Sequence, residues 1–129
     1  MEEAIRTRLL AVTAVTDIVA ARINWGVHPQ GEALPGLVLT TVSDAQDSNL
    51  NAPSGISDAR VQVDCYAEDY GAAKLLFRAV RGALSGWSSH IAGIQGVFEE
   101  NARDGFLGET QDGDRPFRVS VDFRVVYSV

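Results

Sequence analysis

Apolar and polar residues alternate without a break from Phe117 to Val129. Phe117, Val119, Val121, Phe123, Val125, Tyr127 and Val129 take one side, and Arg118, Ser120, Asp122, Arg124, Val126 and Ser128 the other. A period of two marks a strand with one buried face. These 13 residues reach about 44 Å at about 3.4 Å each. A compact chain of 129 residues has a radius of gyration of only about 14 Å, so the strand either bends or reaches past its own core. Residues 59–67 alternate in the same way, with Val61, Val63, Cys65 and Ala67 opposed to Arg60, Gln62, Asp64 and Tyr66. The β-branched run 36–43 predicts a third strand, Arg22-Ile23-Asn24-Trp25 a short one, and 91–100 a further candidate.

Helical spacing takes over at residues 70–85. Ala72, Leu75, Leu76, Ala79, Val80, Ala83 and Leu84 fall on one stripe, Asp69 is placed to cap the first turn, and Gly86 to stop the last. Residues 3–13 set Ile5, Leu9, Leu10 and Val12 at helical spacing, and Thr16 reads as the cap of a second short turn over 17–21. Gly26, Pro29, Gly31 and Pro35 mark a loop. The polar stretch from Asp44 to Asp58 reads as a long loop, and 101–116 as an Asp/Gly-rich loop or hairpin. Helix, strands, helix, strands is an α+β order. It implies one domain spanning 1–129, a mainly antiparallel sheet of about four or five strands, and two helices packed on one face. The sheet's other face carries Arg60, Asp64, Arg118, Asp122 and Arg124, whose opposite charges can pair across strands or across subunits. With Asp47, Asn49 and Asn51 of the polar loop, they are the candidate interface residues.

Composition narrows the function. Lys and Arg number 11 and Asp and Glu 17, for a net charge of −6. That balance argues against specific nucleic-acid binding, which needs clustered cations for the phosphates. Ten of the 11 basic residues are Arg, with Lys74 the exception. An acidic start followed by Arg6 and Arg8 is unlike a secretory signal, and no run of about 18 apolar residues exists to cross a membrane.

Reactive chemistry is sparse. The histidines are His28 and His90, and the one cysteine, Cys65, alternates inward on a strand, which suits a small core residue better than a thiolate. No Gly-x-Ser-x-Gly elbow, metal-ligand spacing or glycine-rich phosphate fingerprint is present, and no cofactor is expected. Asp112-Gly113-Asp114 is a turn pair without the rest of a calcium loop. Glu99 and Glu100, adjacent on a strand, point to opposite faces. Trp25 and Trp87 sit at element edges, suited to packing on the core or to an interface. An enzyme or small-molecule-binding protein would have to rely on His28, His90, Asp69 and Cys65, which form no triad or ligand spacing.

The order of several short motifs resembles the tail-terminator, or tail-completion, family of long-tailed bacteriophages and gene transfer agents. They are Arg22-Ile23 followed by Trp25, the Pro29 loop and Leu34-Pro35 opening a strand. Next come Arg60-Val61-Gln62-Val63-Asp64-Cys65-Tyr66, then Tyr70-Gly71-Ala72-Ala73 entering the long helix. Val121-Asp122-Phe123-Arg124-Val125 closes the series. The resemblance covers most of the chain and is least at 86–114. It implies a non-enzymatic homo-oligomeric ring, commonly a hexamer, made in the bacterial host cytoplasm and located in the virion tail or neck. Such a ring caps the tail tube, stops its polymerisation and presents a face to the head-tail connector protein, with DNA only passing through the pore. A different neck or connector adaptor is the alternative within the same class.

Overall fold

The computed structural model describes residues 1–27, 33–48, 53–106 and 117–128. In chain order the elements are α1 (Glu2–Ala11), α2 (Thr13–Val19), β1 (Ile23–Trp25), β2 (Gly36–Ser48), β3 (Pro53–Ala67), α3 (Tyr70–Leu84), β4 (Ile94–Phe106) and β5 (Phe117–Ser128). The strands form one five-stranded sheet in the order β1-β2-β3-β5-β4. β1 runs parallel to β2, and every other pair is antiparallel. The fold is α+β, as the alternation predicts, with three helices where the sequence suggests two and a turn.

The central pair sets the core. β3 and β5 are in unbroken register from Ile56↔Ser128 to Ala67↔Phe117. Val61 therefore sits opposite Phe123, Val63 opposite Val121, and Cys65 opposite Val119, all fully or almost fully buried. Leu37 and Leu39 of β2 extend the same apolar face. Helix α3 lies against β3, β5 and β4, while α1 and α2 pack on α3 and α1 also meets β1. Ile5, Leu9, Val15 and Val19 join Leu76, Val80 and Leu84 in one cluster with the sheet residues. Burying a side chain of this size contributes about 1.5–3 kcal/mol. Trp25 and Trp87 pack against that cluster, half-buried.

Local signals explain most boundaries. The Asp69 carboxylate accepts from the Ala72 backbone N–H at 2.8 Å, the N-cap expected for α3. Gly86, just beyond the helix, takes φ +79°, a conformation glycine adopts at no steric cost. Three arginines bind the helical layer to the backbone. Arg6 Nε donates to the Ile23 carbonyl, Arg8 Nε to that of Ala83, and Arg22 Nε to that of Pro35. Arg8 also lies over the Trp87 ring, 5.6 Å from its centroid.

Several expectations are corrected. Thr16 is inside α2 rather than its cap, and its hydroxyl bonds back to the Val12 carbonyl. On α3, Leu75 is 59% exposed while Ala73 and Phe77 are buried, so the stripe is rotated by about half a residue step from the one read off the sequence. The polar stretch 44–58 is largely strand. β2 continues to Ser48 and β3 starts at Pro53, with bulges at Thr41/Ser43 and Asp47/Ser48. Likewise 101–106 belongs to β4; residues 107–116 lie outside the described residues. β5 is long, but it does not project alone, since β3 and β4 accompany it from end to end. No helix among the described residues is long and apolar enough to cross a membrane.

Three stability outcomes follow. Leu76→Ala should cost about 2–5 kcal/mol in urea unfolding, whereas Leu75→Ala should stay within about 0.5 kcal/mol. Ala20 ends α2 at φ +54° in a turn closed by Arg22 N–H to the Val19 carbonyl, a position that favours glycine. Ala20→Gly should therefore raise stability by about 0.5–1 kcal/mol, read as an increase in the urea midpoint.

Candidate interface on the polar sheet face

Because successive strand residues point to opposite sides, the partners of the core residues line up on the outward face. Three rows cross the sheet there: Val38, Asp64, Ser120 and Arg103; then Thr40, Gln62, Asp122 and Asn101; then Ser43, Arg60, Arg124 and Phe98. The alternation thus places Arg60, Asp64, Arg118, Asp122 and Arg124 together, as the sequence suggests.

Their charges are largely matched inside the subunit. Ser120 Oγ donates to Asp64 Oδ1, and both residues are buried, at 2% and 6% exposure. Gln62 Nε2 donates to both Asp64 oxygens, at 3.0 and 3.2 Å. Arg103 joins this group to the next row, with one nitrogen 2.9 Å from Gln62 Oε1 and the other 3.0 Å from Asp122 Oδ2. A buried carboxylate needs such partners, because leaving it unpaired costs far more than the pairing returns. Nearer the sheet's other end, Arg60 pairs with Glu100 at 3.1 Å and Arg124 binds Asp58 through two nitrogens.

The ionisable groups respond accordingly. Hydrogen bonding from Arg124 holds the Asp58 carboxyl below the usual carboxylate range, with the Arg124 and Arg60 charges adding and partial burial opposing. Burial pushes the Tyr66 phenol up, the Asp64 charge adds to this, and hydrogen bonding from Arg118 works against it. Arg118 passes over the edge strand so closely that a Cβ on Gly105 would come within 2.9 Å of its Nε. Two buried atoms of the face have no hydrogen-bond partner among the described residues, Arg118 Nε and Asp122 Oδ1.

The remaining candidates are scattered. Asp47 is on the outer part of β2, opposite Ile56; Asn49 and Asn51 lie outside the described residues, as do His28 and the Asp112–Asp114 turn. His90 is exposed in the segment between α3 and β4. Cys65 is fully buried, and burial together with the neighbouring Asp64 charge pushes its thiol far up. Glu99 and Glu100 do part to opposite sides, Glu99 pairing with Arg81 of α3 and Glu100 with Arg60 of the sheet face. Among the described residues no group of three His, Cys, Asp or Glu is arranged to hold a metal ion. Sequence reading missed Arg103, Glu100 and Asp58 as members of the polar face. They sit in stretches without apolar alternation, so only the strand register reveals them.

Comparison with known proteins gives two findings. The family described as Tail completion protein gp17 matches residues 3–128. Among solved structures, a chain in the virion of a native gene transfer agent particle superposes with a TM-score of 0.78 at 18% identity, over 100% of this chain and 95% of that one. At that identity the likeness is one of fold. No curated protein matches the chain.

The Asp58 carboxyl provides a direct check of the face. Its depressed pKa means that the Arg124 contact stabilises the fold above the ordinary Asp pKa and is lost as pH falls through the folded value. In an NMR titration, Arg124→Gln should move the Asp58 midpoint up toward the ordinary Asp range, leaving the sheet pattern of amide shifts intact.

Proposed function

The chain belongs to the tail completion protein gp17 family, a family of phage tail structural proteins, and on that basis we propose that it is a ring-forming tail terminator. Copies assemble into a closed ring, commonly six in this family, that caps the tail tube and ends its growth. The opposite face of the ring then meets the head-tail connector. The observation that carries this reading is the extent of the family match, which takes in all the helices and strands rather than one motif.

The physical layout supports it. A terminator works by shape, and several of the described titratable groups are committed to shape. Asp64, Asp122, Arg103 and Arg124 spend their charges on cross-strand bonds, and the one thiol is inert in the core. A subunit with two different contact surfaces closes into a ring when the rotation between neighbours returns on itself. The polar sheet face, with Arg60, Asp64, Arg118, Asp122 and Arg124, is a contact surface toward the other tail and neck components. The net charge of −6 suits a channel through which DNA passes without adhering, because like charges repel.

At micromolar concentration, native mass spectrometry or light scattering should detect a discrete closed oligomer. A strictly monomeric chain that also fails to associate with tail-tube subunits overturns the proposal. Particles assembled without this protein should carry overlong or aberrant tails; tails of normal length that fail to join heads would assign it to an adaptor instead.

A further inference from the structure

Identical chains each carrying −6 repel one another, so a contact that holds copies together must bring a local excess of cations against a local excess of anions. Such an excess of cations lies in the groove between α3 and the edge strand β4. Lys74, Arg78 and Arg81 line it, with Asp104 as the single carboxylate among the lining residues, and Arg103 stands at its rim with its charge paired to Asp122 on the other sheet face. Its shape is fixed from within. Lys74 Nζ is 2.8 Å from Asp104 Oδ1, Tyr70 donates to Asp104 Oδ2 at 3.0 Å, and the Arg81 guanidinium stacks 4.3 Å over the Phe77 ring. Glu99 holds Arg81 from the side at 2.8 Å. Arg78 is exposed and has no carboxylate partner among the described residues. Beside it are Leu75 and Tyr70, 59% and 48% exposed, an apolar anchor set among cations.

The complementary surface is at the far corner of the same molecule. Tyr127 donates to Asp44 Oδ2, and the Asp44 and Glu2 charges both bear on that phenol, whose pKa burial already raises. Asp44 is exposed at this corner, and Glu2, the first residue of α1, adds its charge there with the Met1 amino group 4.0 Å from its carboxylate. β1 pairs with β2 only at Leu37–Leu39, so Asp44 lies on the part of β2 that β1 leaves uncovered. By register Asp44 is level with Val125, while Arg103 is level with Ser120 three strands away. Strand rise and spacing put the two patches about 20 Å apart, on opposite edges of the sheet. Unlike patches on opposite edges make a heterologous contact, the kind that builds rings rather than two-fold dimers.

We propose that the α3/β4 groove, through Lys74, Arg78, Leu75 and Tyr70, receives the Asp44/Glu2 corner of the next copy of this chain. This rests on the ring reading and specifies which surfaces join its subunits. Two charge reversals test it, Arg78→Glu and Asp44→Arg, with Glu2→Arg as a second variant on the acidic side. Circular dichroism and the thermal midpoint confirm that each is folded.

Alone, each variant opposes like charges at every contact, and its assembly should weaken at least about tenfold relative to the unaltered chain. Mixed in equal amounts, Arg78→Glu and Asp44→Arg chains meet only opposite charges, and native mass spectrometry should recover closed oligomers containing both in equal number. If the unaltered chain forms its ring and the single variants do so equally well, or if mixing restores nothing, this contact is rejected and the ring stands. If the unaltered chain stays monomeric, the ring itself is rejected and the contact with it.

Discussion

The register between β3 and β5 is the constraint on which the rest of the molecule depends. Twelve residue pairs run without a bulge, and because the side-chain period is two, a slip by one residue would turn outward either Val61, Val63 and Cys65 of β3 or Val121 and Phe123 of β5. The same slip would drive Asp64 or Ser120, whichever strand had moved, into the hydrocarbon core. The register is therefore held from both faces. Apolar burial rewards it on the helix side, and the bonds from Ser120 and Gln62 to Asp64 reward it on the other. Everything outside this pair takes its position from it. β2 and β4 add to its two edges, and α3 seats Leu76, Phe77 and Val80 on its apolar face.

This also explains which parts of the fold were legible in the sequence. β5 and the inner half of β3 were readable because burial on one side only leaves an alternating trace. α3 was readable because an apolar stripe, an N-cap at Asp69 and a stop at Gly86 agree. Beyond the core that trace disappears. At Asp44–Ser48 on β2 and Pro53–Asp58 on β3 the chain is held by pairing to its neighbour, and backbone hydrogen bonds impose no side-chain pattern. Asp, Ser and Gly in those stretches resemble a loop and are nonetheless strand. The rotation of the α3 stripe has a related cause: Leu76, Val80, Ala83 and Leu84 are buried on either reading, Leu75 and Phe77 flank them on a 3.6-residue turn, and the position of β3, β4 and β5 decides which flank is covered.

For the candidate interface, the strand pattern was enough to gather Arg60, Asp64, Arg118, Asp122 and Arg124 on one face, since membership of a face follows from parity alone. Partner choice was not readable. Arg124 reaches Asp58, in a stretch read as loop, and Arg60 reaches Glu100, on a candidate strand whose register the sequence does not show. Arginine's role in the helical layer was equally hidden. Arg6, Arg8 and Arg22 look like solvated charges in the sequence but donate to backbone carbonyls of other segments through a planar guanidinium with several fixed donors.

Pairing of this kind bears on how such a subunit can act. A carboxylate used for proton transfer must be free to change its charge near neutral pH, and a metal site needs several donors turned toward one point. Here the internal bonds pull the other way. Arg124 lowers the Asp58 carboxyl and Lys74 lowers that of Asp104, which keeps both ionised through the neutral range, while burial keeps the Cys65 sulfur protonated. Charges held in this way favour constancy over titration, and they keep a surface in one shape and one pattern of potential from copy to copy. That constancy suits the ring proposed above, because in a closed ring any variation between subunits would accumulate at the last joint and leave it open.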